Sequence, residues 1–181
     1  MKHLAKFCAI LCLVSYACGY AGETEVQTSG QRTQPAGAKI VNCGEIEARA
    51  PMGTTAAPNT ELGYVNVLPE LETPKFKPGC PNIEAKLGTR FGIHVVASGS
   101  ARFSIVPLVT RVTHPEIRNP ESGQDTSVDQ WASPMNSGIA RYTGWSFDKP
   151  WEVVPGRWRI EILDAQDNVL AAQDFTVTLK K

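Results

Sequence analysis

Apolar and charged residues alternate strictly along the C-terminal part of this chain of 181 residues. From Arg157 to Ile162 every second residue is apolar, and the same period returns between Phe175 and Leu179 after the polar run 164–168. A period of two sends successive side chains to opposite faces of an extended strand, whereas a helix needs a period of about 3.6. Two such segments joined by turn-forming residues predict a β-hairpin with one buried face.

Three further segments show the same alternation. They are residues 91–97, residues 103–112 and residues 139–147. Pro107 lacks the amide hydrogen that a central ladder needs, so the second of these strands is predicted to lie at an edge or to contain a bulge. No window of about 11 residues or more carries a helical stripe. The sequence therefore predicts an all-β fold, an immunoglobulin-like two-sheet sandwich.

Two long stretches are predicted to be loops. Residues 49–63 and 114–130 contain several Pro and Gly residues and many small polar ones, which interrupt regular strands. Loops held by a rigid scaffold commonly carry binding residues. We therefore expect any specific function to lie in these stretches.

The N-terminus has the composition of an export signal. Two lysines precede an apolar stretch at residues 7–17, which is shorter than the roughly 20 residues that a membrane-spanning helix needs. We predict a signal peptide at residues 1–21, cleaved before Gly22, a periplasmic or secreted protein, and no transmembrane span. The alternative is a lipoprotein anchored to the membrane through a lipid on Cys18, which ends the apolar stretch.

The remaining chain is predicted to contain a disordered tether at residues 22–39 and one β-sandwich domain at residues 40–181. The tether is polar and too poor in apolar residues to repay the entropy of ordering. Cys43 and Cys80 are the cysteines that remain beyond the export signal. In an oxidising compartment two such thiols most simply form a disulfide.

Charge and motif content argue against several classes of function. The chain has 18 Lys and Arg against 18 Asp and Glu, whereas nucleic-acid binding requires a clustered basic excess. No nucleophile elbow, phosphate-binding glycine loop, zinc-protease motif or dinucleotide fingerprint occurs in the sequence. We therefore predict no catalytic residue, no enzymatic activity and no cofactor.

Metal sites are also not expected. His94 and His114 are too far apart in sequence, and too poor in neighbouring ligands, to favour zinc over ordinary roles as a strand and a loop histidine. Asp164, Asp167 and Asn168 are typical calcium ligands, but they are equally typical of a hairpin turn, which we prefer.

Aromatic residues are dense between Trp131 and Trp158. Three of them belong to the apolar face of their predicted strands and are predicted to lie in the core: Trp145, Phe147 and Trp158. Trp131 and Trp151 lie in turn-like sequence and are the predicted surface candidates for binding, because Trp combines a large apolar ring with a hydrogen-bond donor.

One segment resembles a known family. The run GIARYTGWSFDKPWEVVPGRWRIEIL at residues 138–163 is similar to the end of a family of uncharacterised exported bacterial proteins, a domain of unknown function. The likeness is strongest over residues 138–177 and extends back to about Ile40, through the run Gly-Glu-Ile-Glu that begins at Gly44. The resemblance implies export and a small β fold, and it implies no activity and no functional residue.

These expectations lead to two hypotheses about function. The first is an exported binding or structural module of the bacterial cell envelope, without catalytic activity, whose partner is an envelope protein or a glycan. The alternative is a carbohydrate-binding module or a weak glycan hydrolase, suggested by the tryptophans and by the nearby carboxyl groups of Asp148 and Glu152.

Overall fold

The computed structural model describes residues 37–47, 50–68, 74–99 and 101–179. Their regular structure is twelve strands and one short 3-10 helix, Pro150–Glu152. In chain order the strands are β1 Gly37–Ile46, β2 Gly53–Ala56, β3 Tyr64–Val67, β4 Asn82–Ala85, β5 Arg90–Ser98, β6 Ile105–Val106, β7 Val109–Arg118, β8 Asp125–Ala132, β9 Met135–Asn136, β10 Ala140–Ser146, β11 Gly156–Leu163 and β12 Val169–Leu179.

The strands form two main sheets, which confirms the predicted sandwich. One sheet has the order β1-β5-β10, and the other has the order β4-β12-β11-β7-β8. Pairing within both sheets is antiparallel except between β4 and β12. Two short antiparallel ladders, β2 with β3 and β6 with β9, lie outside the main sheets.

The core is built from the apolar faces of the strands that the sequence predicts. Alternate residues of β5 from Phe91 to Ala97 are fully buried, and Phe147 and Trp158 are too. Trp158 lies at the centre of an aromatic cluster, with its ring centroid 5.6 Å from that of Phe91 and 5.3 Å from that of Trp145. The predicted C-terminal hairpin is confirmed as β11 paired with β12.

Much of the two predicted loops is in fact strand. Residues 114–130 contain the end of β7 and most of β8, so only residues 119–124 connect them. Pro115 is accommodated because the pairing of β7 with β8 shifts register between Thr113 and Ile117. His114 is therefore a strand residue rather than a loop residue. Likewise, β2 occupies Gly53–Ala56 within the stretch 49–63.

Pro107 separates two ladders. Residues 103–112 do not form one continuous strand, because β6 ends at Val106 and pairs with β9, whereas β7 starts at Val109 and pairs with β8 and β11. The proline therefore lies where the chain passes from one ladder to another, and its missing amide hydrogen interrupts neither.

The N-terminal part of the domain is fastened by a disulfide. Cys43 in β1 is bonded to Cys80, with 5.9 Å between the two Cα atoms, as predicted. Strand β1 begins at Gly37, three residues before the expected domain boundary. The predicted signal peptide, Cys18 and the tether up to residue 36 lie outside the described residues. Within the described ranges, no helix is long and apolar enough to cross a membrane.

Candidate functional site

A cleft of about 600 Å³ runs along β10, the edge strand of the smaller sheet. Most of its wall comes from three stretches of chain, residues 64–68, 131–134 and 139–146. They belong to β3, to the end of β8 and to β10. The cleft therefore lies where the edge strands of both sheets meet the β2–β3 hairpin.

The hairpin that forms one wall, residues 53–67, is here called the arm. Several hydrogen bonds tie it to the sandwich, and they include the following three. The Gln130 amide donates to the Asn59 carbonyl at 2.9 Å, the Asn66 side-chain amide donates to Asp148 at 2.6 Å, and the Glu61 amide donates to Asp129. Each joins residues far apart in sequence, so the cleft forms only when the whole domain folds.

The hydrogen bond from Glu61 reaches a buried pair of side chains, His114 and Asp129. Asp129 Oδ2 lies 2.6 Å from Nε2 of His114, and neither side chain is exposed to solvent. His114 Nδ1 lies 2.7 Å from the carbonyl oxygen of Pro115. An oxygen atom thus lies within hydrogen-bond distance of each ring nitrogen of His114. The His114 ring stacks on Trp158 at 4.9 Å, so the pair anchors the arm to the core.

Two hydroxyl groups hold β10 over the larger sheet. The side-chain oxygens of Thr143 in β10 and Thr110 in β7 are 3.0 Å apart and both residues are buried. This bond fixes the floor of the cleft relative to the core, because it joins the two sheets directly.

Three carboxyl groups line the cleft, and the structure brings them together from two parts of the chain: Glu61, Asp148 and Glu152. Glu152 is 1% exposed, its Oε2 accepts the Lys149 amide at 2.6 Å, and burial raises its pKa to about 8. Burial also raises the pKa of Glu61. Asp148 accepts hydrogen bonds from Asn66 and from the Ser146 hydroxyl, at 2.6 and 2.7 Å.

Unpaired polar atoms are concentrated at this cleft. Among the described residues, four buried side-chain polar atoms lack a hydrogen-bond partner, and three belong to residues that line the cleft: Glu61 Oε2, Tyr142 Oη and Trp145 Nε1. The fourth, Thr126 Oγ1, does not. Folded proteins satisfy most buried polar groups, and each unsatisfied group costs about 1–3 kcal/mol. The cleft lined by these residues is therefore the candidate binding site in the described part of the chain.

Gly144 makes room for the Tyr142 hydroxyl. Gly92 and Gly144 are paired across β5 and β10. A Cβ at Gly144 would lie 2.6 Å from the Tyr142 hydroxyl and 2.2 Å from the Phe91 carbonyl oxygen. Gly144 is thus required by close approach, and it lets the Tyr142 side chain lie along its own strand.

The structure separates the two tryptophans predicted as binding residues. Trp131 lines the cleft, whereas Trp151 does not. Both are half-buried and pack against the core. The Trp151 indole donates to Glu61 Oε1 at 3.0 Å, so it positions a carboxyl group of the cleft.

Sequence reasoning missed several cleft residues. Tyr142 lies between Trp131 and Trp158 in the sequence but is not among the predicted binding residues. Glu61 is not among them either, because its carboxyl group meets the cleft only through the fold of the arm. Trp145 is 8% exposed and belongs to the core as predicted, but it also lines the cleft. Asp148 and Glu152, named for the alternative hypothesis, both line it.

The metal candidates have other roles in the structure. Asp164 Oδ1 accepts the amides of Gln166 and Asn168 at 2.8 and 2.9 Å, so the segment is the predicted hairpin turn. His94 lies against Phe76, with 6.1 Å between ring centroids. Within the described part of the chain, no group of three or more His, Cys, Asp or Glu residues is arranged to hold a metal ion.

Comparison with known proteins supports the fold and the family. The structure is similar to that of an immunoglobulin-like protein (PA1606) from Pseudomonas aeruginosa, with a TM-score of 0.55 and 22% identity, over 79% of this chain and 98% of that one. No curated protein matches the chain. The model of the family described as Domain of unknown function (DUF3859) matches residues 58–177, which include every residue that lines the cleft except Thr55. The chain therefore belongs to this family of domains of unknown function.

Proposed function

We propose that this protein is an exported binding module of the bacterial cell envelope, without catalytic activity, and that it holds its ligand in the cleft beside β10. The observation that carries the proposal is the concentration of unpaired buried polar atoms in this cleft. Natural binding sites are concave, with a small number of convergent polar groups, and commonly measure about 300–1,000 Å³. A cleft of about 600 Å³ fits this description.

The hydrogen-bonding of the carboxyl groups favours binding over catalysis. Each oxygen of Asp148 already accepts a hydrogen bond, and Glu152 is almost fully buried with one oxygen held by the Lys149 amide. Such groups are fixed by the protein, which suits a rigid recognition surface. The immunoglobulin-like sandwich is compatible with this role, although the fold does not determine it.

Export is supported by the basic and apolar N-terminal sequence and by the disulfide between Cys43 and Cys80. Mass spectrometry of protein recovered from cells measures the processed N-terminus. We expect a chain that starts at Gly22. A lipid on Cys18 would show a membrane-anchored form instead, and an uncleaved chain in the cytoplasm would refute the envelope role.

Ligand-observed NMR tests the binding role directly. The folded domain is added to mixtures of saccharides, dipeptides, nucleotides and amino acids, and the parent is compared with Trp131→Ala and with Leu87→Ala. Leu87 is exposed and lies outside the cleft. We expect saturation transfer to members of at least one class with the parent and with Leu87→Ala, and at least a tenfold weaker affinity with Trp131→Ala. Absence of binding by every class, or equal binding by all three proteins, would refute the proposal.

A second function is favoured by one observation. Glu152, which is protonated at neutral pH, and the carboxyl group of Asp148 line the same cleft, and glycan hydrolysis uses one carboxylic acid together with a second carboxyl group. Release of reducing ends from cell-wall glycans, abolished in Glu152→Gln, would support this hydrolase. No release by the parent would leave the binding module as the better account.

A further inference from the structure

We propose that the ligand of the cleft is a short, uncharged saccharide, recognised through the Tyr142 hydroxyl, the Trp145 indole and the Glu61 carboxyl group. This inference rests on the proposed binding function and names the class of its ligand. It is drawn from three properties of the cleft: its charge balance, the hydrogen-bonding types of its unpaired atoms, and its aromatic lining.

The charges that line the cleft are balanced. Arg90 and Arg141 contribute two guanidinium groups, while Glu61, Asp148 and Glu152 contribute three carboxyl groups. Glu152 is mostly neutral at pH 7, because burial raises its pKa to about 8. An anionic or cationic ligand would meet no excess of opposite charge and would lose its hydration on entering. The balance therefore favours an uncharged ligand.

Two hydrogen bonds in series connect Arg90 to Asp148. The Arg90 Nε donates to the Ser146 hydroxyl at 3.1 Å, and that hydroxyl donates to Asp148 at 2.7 Å. The guanidinium and the carboxyl group are thereby coupled through one side chain. Neither is presented as an isolated charge to the ligand.

The unpaired atoms require a ligand group that both donates and accepts. The indole nitrogen of Trp145 can only donate, the Tyr142 hydroxyl does both, and Glu61 Oε2 accepts when ionised and donates when protonated. A purely apolar ligand would leave all three unpaired. A hydroxyl group can pair with each of them, because it accepts from the indole and both donates to and accepts from the other two groups, and a saccharide carries several hydroxyl groups at fixed spacing.

The cleft also offers ring faces. Trp131 and Tyr64 line it, and both are half-buried, so their rings are partly held by the protein before a ligand enters. Rigid aromatic side chains give a large contact area at a small cost in conformational entropy. They suit the apolar face of a sugar ring, while the hydroxyl groups meet the polar atoms on the other walls.

The test uses two matched substitutions that each remove one unpaired hydroxyl. Tyr142→Phe removes the unpaired hydroxyl of a residue that lines the cleft, and Thr126→Val removes the unpaired hydroxyl of a residue that does not. Binding of cellobiose, maltose and chitobiose is measured by calorimetry beside glucosamine, glucuronic acid, a dipeptide and a nucleotide. Melting temperatures of the free proteins are measured in parallel.

We expect a neutral disaccharide to bind, and the charged monosaccharides to bind at least tenfold more weakly. Tyr142→Phe is expected to weaken disaccharide binding about five- to tenfold, without lowering the melting temperature of the free protein, because its hydroxyl has no partner there. Thr126→Val is expected to leave the affinity unchanged.

Three results would overturn the inference. One is tighter binding of a charged sugar than of every neutral disaccharide. Another is unchanged disaccharide affinity in Tyr142→Phe. The third is binding of the dipeptide or nucleotide alone, which would refute the saccharide but keep the binding module. Absence of binding by every probe, including the wider mixtures used for the proposed function, would refute both.

Discussion

Glu152 shows how one buried residue couples folding to pH. Its side chain is almost completely removed from water, and the Lys149 amide compensates only partly, so burial raises its pKa from 4.5 to about 8. A carboxyl group with a raised folded-state pKa binds its proton more tightly in the folded state than in the unfolded state. The folded state is therefore favoured most below about pH 4.5, and this advantage is lost as the pH rises through about 8.

Stability is predicted to fall between pH 5 and pH 8 because of Glu152. The shift corresponds to up to about 4–5 kcal/mol in the free energy of unfolding. Glu152→Gln keeps the shape and an acceptor for the Lys149 amide but cannot ionise, so its urea-unfolding profile is expected to be flatter and its stability at pH 8 higher than that of the parent. A variant with the same slope as the parent would contradict this account.

Gly144 is predicted to be intolerant of even one added methyl group. Gly144→Ala would press against the Phe91 carbonyl oxygen and the Tyr142 hydroxyl, and we expect it to lower the free energy of unfolding by about 2–3 kcal/mol. Gly37→Ala is the control, because its Cβ would meet only the Ser98 side chain at 3.8 Å. Equal stability of the two variants, measured by chemical denaturation, would show that the close approach is not important.

The arm is the element on which the cleft depends. It is a short two-stranded hairpin, which has little stability alone. Its turn is held by two hydrogen bonds, in which the Glu61 amide donates to Asp129 and the Gln130 amide donates to the Asn59 carbonyl. The His114 imidazole on the other side of Asp129 fixes that carboxyl group. The anchor of the arm is therefore part of the core.

Asp129→Ala is predicted to release the arm. It removes the acceptor of the Glu61 amide and leaves Nε2 of the buried His114 without its hydrogen-bond partner, and each buried group left unpaired costs about 1–3 kcal/mol. Hydrogen exchange should rise first at residues 53–67, before it rises in β11 and β12. Asp125→Ala, on the same strand but in an exposed pair with Arg118, is the control and should change stability by less than about 1 kcal/mol. Uniform exchange across the domain in Asp129→Ala would argue against a separate arm.

The strands could largely be predicted from sequence, but their interruptions could not. The alternation along β5, β10, β11 and β12 identifies them, because one face of each packs on the core. The strand around Pro115 was mistaken for a loop, since the register shift that accommodates a proline depends on the partner strand. The hydrogen bond between Glu61 and Asp129, which are 68 residues apart, corresponds to no local pattern in the sequence. The cleft therefore had to be found from the fold.

At the scale of the molecule, the disulfide ties the first strand to the rest of the domain. The family match begins at residue 58 and leaves β1 outside, yet β1 pairs with the whole length of β5 and its Cys43 is bonded to Cys80. As an edge strand, β1 has only one neighbour within its sheet. The disulfide holds β1 in place although a second neighbouring strand is missing.

Replacing Cys43 and Cys80 together by Ser is predicted to lower the free energy of unfolding by about 4 kcal/mol, because the loop closed by the disulfide gains entropy in the unfolded chain. Thermal melts of parent and variant measure the loss. In the presence of reductant the two proteins should melt alike. A melting difference that persists under full reduction would attribute the effect to side-chain packing instead of the covalent bond.

The indole signals of the four tryptophans give the most direct test that the cleft binds a ligand. A proton–nitrogen NMR titration with neutral disaccharides, and then with dipeptides and nucleotides, reports each indole separately. The Trp145 signal is predicted to shift on binding, because its unpaired N–H gains an acceptor. The Trp158 signal is predicted to stay, because its N–H already donates to the Val154 carbonyl at 3.2 Å. A saturable titration in which the Trp145 signal does not move, or the absence of any shift with every ligand class, would contradict a binding site at this cleft.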